Sequence, residues 1–353
     1  MRWAVALLPL AVAAEEACLA AGEGAWVAST LAPVVLQPSF LKNWGQSVFY
    51  WGQCERPADA VRWEPEGRAC GGVGALARNA SLGAQFCEAF RGASVLLVGD
   101  SVQGELFSTL AFLLGPPTRG VQDEAEVAAK CLPGSKLLAH HAHEVRVSSK
   151  VCGGTVGLKF VRNEFALWDG ARSRLEAEGA TKWLDRQYLC EWADDVADAD
   201  LLVLSRGLHP APDAAFEAQL EETLSGVVAA RAAPRPPWVV LRGSHAVIPR
   251  CADYADPSPV SLAAKITATP GVAFSAQWAN ISHQNDIARR VARAHGVPYV
   301  DVFTQTAFRP GARPNWHDGE CMHFCIPGPV DDWARLLLAS WLVERRRQLW
   351  PPP

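Results

Sequence analysis

A chain of 353 residues with 49% hydrophobic and 20% charged residues has enough apolar material to bury a sizeable core, in one large domain or two smaller ones. Its formal net charge is only −4, and no basic run exceeds Arg345-Arg346-Arg347, which argues against nucleic acid as the partner. There is no fixed-period repeat and no long low-complexity tract, so the chain reads as globular throughout.

The first element is a leader. In "MRWAVALLPLAVAAEEAC" one positive residue precedes an apolar run from Trp3 to Ala14, with small residues at Ala11 and Ala13, the pattern of a cleaved signal peptide over residues 1–14. Glu15 and Glu16 end that run short of the roughly 20 apolar residues a membrane span needs. The other apolar concentration, Leu336 to Val343, is flanked by charges and reads as one buried helix face, so no membrane span is expected after leader removal. Ten cysteines, at 18, 54, 70, 87, 131, 152, 190, 251, 321 and 325, fit pairing in an oxidising compartment. Two N-x-S sequons, at Asn79 and Asn280, agree with a secretory route that ends in the Golgi lumen or outside the cell. Cys18, close to the expected cleavage point, reads as the odd cysteine out.

From Glu23 to Phe90 the sequence is rich in Gly, Trp and Cys with little periodicity. This predicts an irregular, disulfide-stapled lobe over residues 23–90 rather than a sheet. From Ser94 onward strand and helix signals alternate. The strands expected are Val95 to Val98, Val156 to Val161, Leu201 to Leu204, Trp238 to Arg242 and Val297 to Phe303. The helices expected are Val102 to Leu114, Asp213 to Ala230, Trp278 to Ala294 and Val330 to Leu349. That order implies an α/β domain over residues 91–350, with a mostly parallel sheet flanked by helices.

One break in the pattern bears on chemistry. Val95 to Val98 is a short apolar run bounded by glycines, as a strand buried on both faces would be. Beyond Gly99-Asp100-Ser101, apolar residues recur at helical spacing until Gly115-Pro116-Pro117 stops the helix. Ser101 therefore falls where a strand turns into a helix, at the carboxyl edge of the sheet and near helix N–H groups that can stabilise charge on a substrate oxygen. The plain alternative is that Asp100 or Ser101 only caps the helix.

A serine needs a base, and the base an orienting group. Both are available in "HDGECMHFCIPGPVDDWARLL", His317 to Leu337. Glu320 precedes His323 by three residues, a spacing that in a turn or short helix puts a carboxylate beside an imidazole. Asp318 is the rival carboxylate. Cys321 and Cys325 flank the histidine and can fix the loop by disulfides to other segments. Other readings stand beside this one: a half zinc site of "CMHFC" with His317, a structural role for His323, and for His140, His141 and His143 either a metal ligand set or a solvated loop.

The two terminal motifs carry a resemblance. "VGDSV" near a Cys-rich N-terminal region, paired with a late "ECMHFCIPGPVDDW", resembles the PC-esterase family. This is the GDSL/SGNH-like group that includes the trichome-birefringence-like polysaccharide O-acetyltransferases. The likeness takes in "RWEPEGRAC" (Arg62 to Cys70), "DLLVLSRGLHP" (Asp200 to Pro210), "VVLRGSHAVIPRC" (Val239 to Cys251) and "QNDIARRVARAHGVPYVDVF" (Gln284 to Phe303). It covers nearly everything after the leader.

The resemblance implies an SGNH-hydrolase-like α/β fold with the Cys-rich lobe packed across it, and a Ser-His-carboxylate triad of Ser101, His323 and Glu320. Gly99 and Asp100 then shape the oxyanion hole together with the N–H of Ser101. Arg242 matches a family arginine near the site, whose alternative is a structural ion pair. Two positions depart from the family pattern: Glu320 replaces an aspartate, and Ser205 stands where relatives have an oxyanion-hole asparagine. The function implied is acyl transfer through a serine acyl-enzyme, with an acetyl donor, a glycan acceptor and no metal or other cofactor. The alternatives are a secreted carbohydrate esterase of the same fold and an inactive glycan-binding member, for which the fourteen tryptophans supply stacking surfaces.

Overall fold

A computed structural model of the chain describes residues 18–19, 24–28, 61–65, 70–115, 118–119, 130–131, 146–168, 189–209, 211–230, 236–248, 251, 280–309, 312–313, 321–326 and 328–349. The signal-peptide reading over residues 1–14 and the tract His140, His141 and His143 lie outside these residues.

The elements follow in chain order. Strands β1 (Gly24–Ala28) and β2 (Val61–Pro65) are followed by helices α1 (Gly71–Ala77) and α2 (Leu82–Ala89), then by β3 (Ser94–Gly99) and α3 (Ser101–Leu113). Next come β4 (Thr118–Arg119), β5 (Arg146–Val151), β6 (Val156–Arg162), α4 (Ala193–Val196), β7 (Leu201–Ser205) and α5 (Asp213–Ala230). The last are β8 (Trp238–Arg242), α6 (Ile281–Ala294), β9 (Tyr299–Val300), α7 (Phe303–Ala307) and α8 (Pro329–Leu349).

Seven strands form one sheet in the order β4-β5-β6-β3-β7-β8-β9. β6, β3, β7, β8 and β9 run parallel, and β4 and β5 extend the β6 edge antiparallel. The parallel part has the flavodoxin-like order, in which the crevice opens at the carboxyl end of the strand where the order reverses. Here that strand is β3, which ends at Gly99 and leads into Ser101.

Period-two alternation explains why these runs form strands with both faces covered. β3 sends Val95 and Leu97 into one core and Leu96 and Val98 into the other. β7 divides Leu201 and Val203 from Leu202 and Leu204 in the same way. On the first face lie α3, through Val102, Leu106 and Leu110, and α8, through Trp333, Leu337 and Trp341. On the second lie α5, through Phe216, Leu220 and Leu224, and α6, through Ile287 and Val291. α3 is buried almost all round because it is held between the sheet and α8. Each fully buried Leu here contributes about 1.5–3 kcal/mol.

The expected strand Val297 to Phe303 is shorter than its sequence suggests. Only Tyr299–Val300 pairs in the sheet. Asp301 Oδ1 accepts the N–H groups of Phe303 and Thr304, at 2.7 and 3.3 Å, and this local capping turns the chain into α7. The expected helix Trp278 to Ala294 begins, among the described residues, at Ile281. α8 opens on Pro329, whose missing N–H costs nothing at a first helical position.

Within the Cys-rich lobe, contrary to the expectation that it holds no sheet, β1 and β2 pair antiparallel, with Trp26 opposite Trp63: two short segments too weakly alternating to signal strands find each other across the chain. α1 reads GGVGALA, a poor intrinsic helix former, and tertiary packing against α8 makes up the deficit. The cysteine before it, Cys70, is bonded to Cys18. Cys18 is therefore paired, contrary to the expectation that it is the odd one out: the short turn of helix that carries it brings it within 5.1 Å, Cα to Cα, of Cys70. Three further disulfides, Cys87–Cys152, Cys131–Cys190 and Cys251–Cys321, join described residues. Cys325 is disulfide-bonded as well. These pairings fit the oxidising compartment expected from the cysteine count. No described helix is long and apolar enough to cross a membrane.

Candidate active site

The turn from β3 to α3 is built by two small residues and one carboxylate. A Cβ on Gly99 would lie 2.8 Å from Gln103 Cβ and 3.0 Å from the Ser205 carbonyl oxygen, so only glycine lets the turn close. Asp100 caps α3: its Oδ1 accepts from the N–H groups of Val102 (3.1 Å) and Gln103 (3.2 Å), and its Oδ2 accepts from Leu208 N–H (3.2 Å). Gly207, at φ +77°, comes so close that a Cβ there would sit 2.7 Å from Asp100 Oδ2. Burial opposes ionisation of Asp100. The charges of Arg242 and His209, with the N–H groups of Gln103 and Leu208, outweigh it and hold the carboxyl below its ordinary range. Capping thus falls to Asp100 and leaves the Ser101 hydroxyl available.

His323 completes the pair. Its Nε2 lies 2.8 Å from Ser101 Oγ, across 222 residues of sequence. With the imidazole neutral and Nε2 unprotonated, the hydroxyl donates to the ring, the geometry that a general base requires. His323 is 6% exposed, and Ser101 is half-buried.

The loop that carries His323 has no regular secondary structure, and neighbours grip it residue by residue. Cys321 is bonded to Cys251, and its carbonyl accepts from Arg313 Nε at 3.0 Å. The His245 ring hydrogen-bonds the Met322 backbone and meets Phe324 edge-on at 4.9 Å. The Arg313 guanidinium lies 3.6 Å from the centre of the Phe324 ring. Glu105 Oε1 accepts from Phe324 N–H at 3.0 Å, and Cys325 N–H donates to the Ala312 carbonyl at 3.3 Å. Burial, reinforced by the charges of Arg313 and Arg242, pushes His245 well below the ordinary histidine range. With Cys321 and Cys325 both in disulfides, the loop has no thiolate to offer a metal, which removes the zinc reading of "CMHFC".

Beneath the turn runs a network of buried polar groups. Gln103 Nε2 donates to the Val203 carbonyl, and Gln103 Oε1 accepts from Arg242 Nε, both at 2.9 Å. Arg242 donates again to Ser205 Oγ at 2.8 Å and to the Gly243 carbonyl at 2.9 Å. Its plane lies over the Trp333 ring at 5.2 Å.

Ser205, which stands where relatives have an oxyanion-hole asparagine, is fully buried, and its Oγ accepts from both Arg242 and Gly207 N–H, so it braces the arginine from within the sheet. Arg242, 2% exposed, is a scaffold cation and has no exposed face for substrate. Gly99 and Asp100 are buried too, and both lie in the turn that fixes Ser101. Glu320 and Asp318, the two carboxylates expected to compete for His323, lie outside the described residues.

A second polar cluster flanks Asp100. Arg206 is stacked on Phe165 (4.3 Å) and Phe216 (5.2 Å) and donates to the His209 carbonyl. Burial pushes its pKa down to about 9 against the pull of Asp100. His209 Nε2 lies 3.6 Å from Glu164 Oε2, and Glu164 in turn receives two N–H groups of Arg162. These residues, with Gln103, Glu105, His245 and Arg313, escape a motif search.

The sequons differ in setting. Asn79 is exposed between α1 and α2, and its Oδ1 accepts from the N–H and hydroxyl of Ser81. Asn280 is half-buried, and its Nδ2, the atom a glycan would occupy, donates to Asp213 at 2.5 Å.

No family model matches the chain, and no curated protein sequence matches it. Among solved structures, a lipase/acylhydrolase from Enterococcus faecalis is similar at 15% identity, covering 74% of this chain and 99% of that one, with a TM-score of 0.32. A peptidoglycan O-acetylesterase is similar at 12% identity, with 80% and 98% covered and a TM-score of 0.40. The acetylxylan esterase Axe2 from Geobacillus stearothermophilus is similar at 12% identity, with 72% and 94% covered and a TM-score of 0.31. These are partial overlaps, and no residue role is transferred from them.

Proposed function

We propose that this chain is an SGNH-like acyl-transferring serine enzyme of the PC-esterase kind, O-acetylating a glycan in the secretory pathway. The observation that carries the reading is the 2.8 Å approach of His323 Nε2 to Ser101 Oγ, at the carboxyl edge of a parallel sheet where such folds place their ligands. Ser101 Oγ attacks the carbonyl carbon of an acetyl ester while His323 Nε2 takes its proton. Charge then develops on the carbonyl oxygen. The Ser101 N–H, which Asp100 leaves untouched while taking those of Val102 and Gln103, is a donor suited to it. His323 returns the proton to the departing alcohol, and the acetyl group stays on Ser101.

In the second half His323 deprotonates a sugar hydroxyl, which attacks the acetyl-enzyme and frees Ser101. Water in place of the sugar makes the same site an esterase. Glu320, with Asp318 as its rival, is the proposed carboxylate partner of His323. The disulfides support an oxidising compartment, and the sequons at Asn79 and Asn280 and the leader over residues 1–14 support the secretory route. Ser101→Ala is expected to abolish both labelling by a fluorophosphonate probe and release of alcohol from an activated acetyl ester. Retention of either by that variant refutes the nucleophile. Mass analysis of candidate glycans incubated with the ester distinguishes transfer to sugar from transfer to water.

A further inference from the structure

Glu105 lies on α3 four residues after Ser101, on the same helix face, and is fully buried. Its neighbours on that face are Ser101 and Val102 one turn before it and Ser108 and Thr109 one turn after it, and Val102, Ser108 and Thr109 are buried as well. Burying a carboxylate there is costly unless hydrogen bonds meet it. The bond it makes is specific. Oε1 accepts from the backbone N–H of Phe324, the residue next to His323 and 219 positions away in sequence.

That N–H belongs to a loop without a strand or helix to satisfy it, and a buried unpaired N–H is itself unfavourable. The helix that presents the serine therefore also holds, by one side chain, the backbone that presents the histidine. The other grips on the loop come from different quarters: Arg313, His245 and the bond to Cys251. Glu105 is the described side chain that ties Phe324 to Ser101's own helix, so the two halves of the pair share one rigid body.

The geometry points to Glu105 as a positioning residue that sets the distance between Ser101 Oγ and His323 Nε2 by tethering the Phe324 amide. This rests on the acyl-transfer reading of the Ser101–His323 pair. Glu105 touches no substrate, so its loss acts on the chemical step and leaves binding alone. Misplacing a reacting group by an ångström costs about 100-fold.

The test uses the full chain with an activated acetyl ester, measuring kcat and KM separately, with hydrogen exchange followed at the Phe324 amide. Glu105→Ala is expected to lower kcat by about 100-fold with KM unchanged and to speed exchange at Phe324. Glu105→Gln keeps an acceptor oxygen in place and is expected to restore slow exchange and most of kcat. Wild-type kcat and exchange in Glu105→Ala overturn the proposal, as does Glu105→Gln impaired as severely as alanine. Should the alanine variant not fold, Glu105→Met, which fills the volume without an acceptor, takes its place with the same expected outcome. If Ser101→Ala turns over the ester like the wild type, the acyl-transfer reading fails by itself. The exchange rate at Phe324 still decides whether Glu105 is a tether.

Discussion

Ser101 and His323 meet at one point but are held there by different means. Ser101 sits between a strand and a helix whose residues have their places fixed by the sheet and by α3, and its turn rests on the bond Asp100 accepts from Val102 and on those Gln103 and Arg242 donate. His323 sits on a loop with no repeating structure, held by a disulfide, a guanidinium over a ring and single hydrogen bonds. Regular structure distributes a position over many weak contacts. A clamped loop concentrates it in a few strong ones, so the two sides break in different ways.

The largest effect separates chemistry from scaffold. His323→Ala is expected to lower turnover by about four to six orders of magnitude, as loss of the base does in serine hydrolases, with little change in the denaturation midpoint. A midpoint that falls with the rate would show that the imidazole is structural. On the serine side, Arg242→Met leaves Gln103 Oε1 without its donor and Ser205 without one of two, in the interior. Breaking a buried polar network costs about 3–5 kcal/mol, read as a shift of the urea midpoint, and an unchanged midpoint contradicts the scaffold role.

On the histidine side, the Cys251→Ser/Cys321→Ser double variant removes a bridge that spans 70 residues, with an expected loss of about 2–4 kcal/mol. Turnover should fall further than the folded fraction does, because the loop loosens before the domain unfolds. Equal losses would mean that the clamp serves the fold alone.

The last effect concerns the start of α8, just beyond the histidine loop. Burial, with Asp331 beside it, pushes Asp332 up to about 8. A carboxyl raised in the folded state binds more protons there than in the unfolded chain, so its contribution to stability fades as pH rises from about 4 to about 8. Asp332→Asn keeps an acceptor and removes the titration. Its stability should vary less with pH across that window than that of the wild type, and an identical pH profile would refute the assignment.

The same division governs what could be read from the sequence. β3, β6, β7 and β8 were legible because period-two alternation and short apolar runs are local signals, and α5 begins and ends where its pattern does. Ser101 and His323 were legible because each stands in a short motif. Their approach to 2.8 Å is a long-range fact. Glu105, Arg313 and His245 were not legible, since each acts on a residue that is far off in sequence and close only after folding. The partners of the Ser205 hydroxyl were not legible, because the resemblance fixes where a residue stands in the chain but not which way its hydroxyl points. The hidden helix α1 shows the complementary limit: a glycine-rich stretch gives no local signal when packing against α8 supplies its stability.

The 222 residues between the serine and its histidine also set a clock. At a synthesis rate of about 5–20 residues per second, roughly 10 to 45 seconds separate the appearance of Ser101 from that of His323. A serine without a base is a poor nucleophile, so under the proposed reading Ser101 has no activating partner during that interval. Cys321, which closes the clamp on the loop, emerges just before His323, so the bridge to Cys251 cannot form earlier. The approach of His323 to Ser101 therefore waits until every strand of the sheet has been made.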